Sequence, residues 1–328
     1  MIFAGWMGRN GIGGVTLFDQ NLEAIGESDA VEGLRYLAVH PSGRFLYGAC
    51  GTDGGLAHAW RVDGRRLVRL GPPVGSGGTE PCHAVVEPGG RHLLVANYGA
   101  SGVPGSVAAL ALASDGSLGR ATVVNRTTSP GPDRDRQAES HVHQVVPAPG
   151  GEVLVVDLGA DEVVSYLLQA GKLVNPVASA VPAGSGPRNL VLLGNGTAVV
   201  SGELGSVLML ARHVDRRLLD WRMVPASDAA LARNVRNYPS DLASDGKVVY
   251  LANRGADSIS EISLSDGALL SQTSCGAWPR QLALDSGRLF VSATGADLVQ
   301  VFGVPGMELI ASIPLPQPMC VVLWREFG

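Results

Sequence analysis

Apolar and polar positions alternate in short runs along the whole chain. Ser258-Ile259-Ser260-Glu261-Ile262-Ser263-Leu264 and Gly14-Val15-Thr16-Leu17-Phe18-Asp19 are examples. A period of two puts alternate side chains on opposite faces of a strand. Glycines and prolines punctuate these runs throughout instead of gathering in one linker, so the pattern predicts many short strands joined by tight turns, and no long helix.

The runs also repeat. Pro or a substitute, two variable residues and an apolar pair lead to a Gly turn, a β-branched run, a small or amide residue, and Gly before a further alternating run. The copies begin at Leu34-Arg35-Tyr36, Pro81-Cys82-His83, His141-Val142-His143, Pro187-Arg188-Asn189, Pro239-Ser240-Asp241 and Pro279-Arg280-Gln281. Their turn glycines, 43, 90, 151, 196, 246 and 287, lie 47, 61, 45, 50 and 41 residues apart. That is the length of a propeller blade.

Six copies leave two orphan ends. Pro318-Met319-Cys320-Val321-Val322-Leu323-Trp324 supplies an inner strand, and Ile2 to Trp6 and Gly14 to Asp19 supply the strands that follow it. Joined, they make a seventh blade and close the ring without a free sheet edge. The expectation is an all-β, seven-bladed β-propeller forming a single domain over residues 1–328; a solenoid with capped ends is the alternative. The 61-residue spacing marks an inserted loop at about 125–139, long enough to be functional or mobile.

Inner strands line the central channel, so equivalent repeat positions form a ring. The third motif position reads Tyr36, His83, His143, Asn189, Asp241, Gln281 and Cys320, and the position before it adds Arg35, Arg188 and Arg280. The next strand contributes Asn97, Asp157, Glu203 and Asn253, with Tyr98 and Arg254 beside two of them. Asn97, Asp157 and Asn253 suit turn hydrogen bonds equally well. In His141-Val142-His143 the two imidazoles are expected on one strand face. They could transfer protons near neutral pH, bridge blades, or bind metal with a third ligand from Asp157, Glu203 or His83, although no recognised zinc spacing is present. His40, His58, His92 and His213 read as turn or surface residues.

Charge and cysteine content narrow the partners. The net charge is -5 without a basic block, which argues against nucleic acid and anionic membranes. No apolar run of spanning length and no secretory leader is visible, so a cytoplasmic protein is expected. Cys50, Cys82, Cys275 and Cys320 form no C-x-x-C pair and read as buried apolar residues. Only Lys172 and Lys247 are lysines, so an anion site would be built from arginine, which serves phosphate and carboxylate alike.

The run from Gly131-Pro132-Asp133-Arg134 through Arg136 to Ser140-His141-Val142-His143, then Gly186-Pro187-Arg188, Gly202-Glu203-Leu204 and Ala252-Asn253-Arg254-Gly255, resembles the lactonase family of seven-bladed propellers. The family includes bacterial 6-phosphogluconolactonases and fungal carboxymuconate-lactonizing enzymes, and the resemblance covers nearly the whole chain. It implies a metal-independent site without cofactor, in which His143 with its neighbour His141, Arg188, Glu203 and Arg254 surround an anionic substrate. His83, Asn97, Tyr98, Arg136, Asp157, Asn189, Asp241, Arg280 and Gln281 are the expected substrate-binding residues around them. The family commonly has histidine after Gly-Pro-Arg, where this chain has Asn189.

Three activities fit these residues. The first is hydrolysis of a small anionic lactone by a monomer, with His143 as general base. A cycloisomerase could use the same cage to add a carboxylate across a double bond. A non-catalytic scaffold binding protein on one face is the third.

Overall fold

A computed structural model describes residues 1–51, 54–228 and 234–324 of the chain. The strands form seven antiparallel sheets, the blades of a β-propeller. Blade 1 joins both ends of the chain, with Pro318–Leu323 innermost, then Ile2–Trp6, Ile12–Phe18 and Ala24–Glu27. Blades 2 to 7 follow in sequence over 36–75, 81–125, 142–180, 187–225, 238–274 and 279–314. Pairing of Ile2 with Leu323 and of Ala4 with Val321 closes the ring where the sequence placed it.

The core is divided among seven interfaces between neighbouring blades, because the second strand of each blade buries both faces. In the strand Thr197–Gly202, Ala198 and Val200 pack toward blade 4, whereas Val199 packs toward blade 6. Phe290 and its neighbours Leu289 and Val291 divide between blades 1 and 6 in the same way. This accounts for the β-branched composition of the second strands: short, stiff side chains fill both interfaces in a pleated sheet.

Polar latches tie the inner strands together around the channel. Ser201 Oγ donates to Ser240 O at 2.7 Å, and Ser240 Oγ donates to Pro279 O at 2.6 Å. Backbone N–H groups of Leu190, Leu282 and Val321 donate to Gln144, Asp241 and Gln281 of the preceding blades at 2.5, 3.0 and 2.8 Å. These buried side chains answer backbone groups that would otherwise lack partners.

The inserted segment lies between the strands Leu118–Asn125 and Val142–Ala148. Arg126 fastens its start to Asp157 and Glu162 at 3.2 and 2.6 Å. Gln137, fully buried, donates to Leu158 O at 3.0 Å and anchors its far end.

Candidate active site

In six inner strands the register with the next strand shifts immediately after the leading residues, and in blade 1 the shift between Pro318 and Cys320 releases Met319. In the other five blades the shifts fall between Pro81 and His83, Val142 and Gln144, Pro187 and Leu190, Pro239 and Leu242, and Pro279 and Gln281. Such bulges leave residues out of the ladder and re-aim their side chains. The residues so released include Cys82, His143, Arg188, Asn189, Asp241 and Arg280, so one backbone irregularity, repeated around the ring, builds the site. Together with Tyr36, His83, Gln281 and Met319 they line a cavity on the channel axis. Its free volume is about 10 Å³, room for about one water.

Glu203 is the hub of an arginine cluster. Its Oε1 accepts from Arg136 Nη2 at 2.7 Å, its Oε2 accepts from Arg254 Nη2 at 2.5 Å, and Arg188 Nε lies 3.0 Å from Oε2 as an ion pair. Burial alone would push this carboxyl up, but Arg254, Arg188 and Arg136 together hold it down at about 2, so it is an ionised acceptor and not an acid at neutral pH. Arg188 Nη1 donates to Asn189 Oδ1 at 2.9 Å, and Arg254 Nε donates to Tyr238 O at 3.1 Å while its guanidinium lies 5.3 Å from the Trp278 ring. Burial and Arg188 lower Arg254 to about 10; burial and the neighbouring Arg254 and Arg35 do the same for Arg280. Both remain cationic at pH 7.

The histidines face these cations. Burial first, and then Arg188, Arg280 and Arg254, depress His143 well below the ordinary histidine range; burial and Arg188 lower His83 to about 3. Both imidazoles are therefore neutral at pH 7, and in each the Nδ1 atom is buried without a hydrogen-bond partner among the described residues. The His83 ring rests 4.4 Å from that of Tyr36, and Tyr98 stands edge-on to His143 at 6.0 Å.

Several expectations require correction. His141 and His143 do not converge: the register shift at Val142 breaks the alternation of faces. His141 stacks on Tyr98 at 4.3 Å and its Nδ1 meets Tyr98 O at 3.1 Å, while His143 lines the cavity. Asn97 and Asp157 are fully buried away from the cavity. Asn97 joins Ser76 and Ser106, and Asp157 accepts from Ser140 Oγ at 2.6 Å and His141 N at 2.9 Å. Cys320 packs against Leu34 and Leu37 in the core, leaving Met319 to line the cavity. His58 is buried in a strand and stacked on Trp60 at 5.6 Å; His213 is bonded to Glu152 at 2.9 Å.

The remaining expected residues, His83, Tyr98, Arg136, Asn189, Asp241, Arg280 and Gln281, stand in or beside the cavity. Tyr98 and Arg136 do not line it: the Tyr98 hydroxyl accepts from Arg136 Nη2 at 3.3 Å, in the cluster around Glu203. Trp278 was missed. Its signal is the parallel between Trp278-Pro279-Arg280 and Gly186-Pro187-Arg188, in which an indole stands where the other blade has glycine.

Comparison with known proteins agrees with the propeller fold. The model of the family described as lactonase, 7-bladed beta-propeller, matches residues 6–323. The chain belongs to this family. It is similar to an uncharacterised Lactococcus lactis protein, YwcC, with 31% identity over 248 residues, 74% of this chain and 71% of that one. The 6-phosphogluconolactonase of Bacillus subtilis is 27% identical over 305 residues, 87% of this lactonase-family chain and 86% of its own. Among solved structures, the periplasmic gluconolactonase PpgL of Pseudomonas aeruginosa superposes with a TM-score of 0.83 at 25% identity, covering 98% of this chain and 99% of its own.

Proposed function

We propose that this protein hydrolyses a small anionic lactone, with 6-phosphogluconolactone as the leading substrate, at the mouth of the channel. The observation that carries the reading is the neutral imidazole of His143, whose buried Nδ1 has no hydrogen-bond partner among the described residues, set against Arg188, Arg254 and Arg280. Four guanidiniums, of Arg136, Arg188, Arg254 and Arg280, stand around two carboxylates, those of Glu203 and Asp241. The excess positive charge suits a dianion such as a phosphate monoester. The Bacillus relative's name supports the same substrate.

In the proposed reaction, His143 takes a proton from water as the water oxygen adds to the lactone carbonyl carbon. The carbonyl oxygen gains negative charge beside Arg188 and Arg254, whose contacts with Glu203 hold their remaining N–H groups in place. When the ring C–O bond breaks, the leaving ring oxygen receives the proton from His143, and an open hydroxy acid forms. Binding of the substrate anion offsets the field of the arginines, so His143 becomes a stronger base when substrate is present. A general base contributes about 10²- to 10⁴-fold and an oxyanion donor about 10²- to 10³-fold.

We further propose a monomer acting in the cytoplasm. A closed ring needs no partner to cover a sheet edge, and Cys50, Cys82, Cys275 and Cys320 are free thiols. Among the described residues no helix is long and apolar enough to cross a membrane.

The test is the initial rate of 6-phosphogluconolactone opening, corrected for spontaneous hydrolysis, in water enriched in ¹⁸O. Enzymatic product carrying one solvent oxygen supports the hydrolase. No rate above background rejects it, and ring formation from an unsaturated acid without solvent oxygen would establish the cycloisomerase instead.

A further inference from the structure

Arg188 and Arg280 are equivalent residues of different blades. Each follows the proline that opens an inner strand, Pro187 pairing with Gly202 and Pro279 with Ala293. The residue after the paired one is Glu203 in blade 5 and Thr294 in blade 7. Blade 5 therefore gives its arginine a carboxylate, whereas Thr294 is neutral and spends its hydroxyl on Pro318 O at 2.6 Å. Asn189 accepts from Arg188 at 2.9 Å, but the corresponding Gln281 is committed to the backbone of Leu282 and Val321. Arg280 is left lining the cavity with no hydrogen bond or ion pair to any described residue.

Its neighbours add to this isolation. Arg35 pairs with Glu80 at 2.9 Å, and Arg254 is held by Glu203 and Trp278. Trp278 is 41% exposed and has a backbone φ of 58°. A bulky residue in the left-handed region is uncommon, and it begins the segment that presents Arg280. An unpaired guanidinium in a confined site is an incomplete fork that matches a phosphate or carboxylate.

We infer that Arg280 anchors the anionic tail of the substrate, while Arg188 and Arg254 serve the reacting carbonyl, so that Arg280 selects a phosphorylated lactone over its neutral counterpart. This rests on the lactonase reading above. The experiment compares wild type, Arg280→Met and Arg280→Lys by kcat/KM for 6-phosphogluconolactone and for glucono-1,5-lactone, alongside calorimetric binding of inorganic phosphate. Loss of a charge-assisted contact is worth about tenfold to a hundredfold. The preference for the phosphorylated lactone should fall at least tenfold in Arg280→Met, mainly through KM, and recover in part in Arg280→Lys. A preference that stays within twofold of wild type, or a wild type acting only on the neutral lactone, overturns the assignment. Should Arg280→Met fail to fold, Arg280→Lys carries the same test with a smaller fall. If wild type hydrolyses neither lactone, the lactonase reading fails and phosphate binding alone decides: binding lost in Arg280→Met and kept in Arg280→Lys sustains the anchor, while equal binding in all forms, or none by wild type, overturns it.

Discussion

Asn189 donates from Nδ2 to Asp241 Oδ1 at 2.8 Å and thereby joins the inner strands of two adjacent blades. Its amide oxygen accepts from Arg188 at 2.9 Å, so one neutral side chain links a cation to a carboxylate. This explains how the site tolerates asparagine where the family commonly carries histidine: the position bridges two charged groups, and His143 and His83 supply imidazoles nearby. Asn189→Leu leaves both groups without that partner, at a cost of about 1–3 kcal/mol for each buried group left unpaired. Urea unfolding should show that loss; an unchanged midpoint would contradict the bridging role.

Glu203 holds together three arginines that would otherwise repel one another. Glu203→Gln keeps the volume but removes the charge, and breaking a buried pair in this way costs about 3–5 kcal/mol. The same variant should bind inorganic phosphate more tightly than wild type, because the site gains net positive charge, and should turn over lactone more slowly. Weaker phosphate binding with full stability would contradict the hub.

Acid should destabilise the fold earlier than carboxylate titration alone would. Unfolded histidines take up protons below about pH 6.5. The native chain resists, with His58 lowered to about 4 and His83 to about 3, mainly by burial, and His143 held well down by burial and the arginines. The unfolded state therefore binds more protons, and stability falls as pH drops from 6.5 toward 4, by about 1.4 kcal/mol per pH unit for each histidine. Glu203, held at about 2, contributes stability that is lost only below about pH 4.5. Denaturant titrations at pH 7 and pH 5 check this, with His83→Gln expected to show a shallower dependence. Equal stability of wild type at the two pH values would contradict the neutral histidines.

Arg136 is the most exposed of the arginines on Glu203, its side chain 37% accessible, and it comes from the inserted loop. Of the arginines on Glu203 it is the one expected to exchange that carboxylate for an incoming substrate anion. Arg136→Ala is expected to raise KM by about tenfold and to cost about 1 kcal/mol or less in stability. A collapse of kcat at unchanged KM would instead make Arg136 part of the chemistry.

The fold was legible because seven-fold repetition amplifies a weak signal: each strand is short, but the Pro, Gly-turn and β-branched order recurs at blade length. The shared blade followed from the orphan ends, and Ile2 pairs with Leu323 as that reading requires. The ring of Tyr36, His83, His143, Asn189, Asp241 and Gln281 was legible for the same reason. Alternation misled where the bulge intervenes, as at His141, and where the chain turns between strands, as at Asn97 and Asp157, since a bulge leaves no mark in an apolar pattern. Which arginine is paired was not legible, because Arg188 and Arg280 share a Pro-Arg step and the carboxylate that decides the matter, Glu203 against Thr294, lies on the next strand.

The most direct measurement is kcat/KM for 6-phosphogluconolactone of wild type beside His143→Gln, at equal concentrations of folded protein and after subtraction of spontaneous opening. A fall of about 10²- to 10⁴-fold with the fold intact is the expected result for loss of the general base. Wild-type activity in His143→Gln would contradict the assignment of proton transfer to this residue.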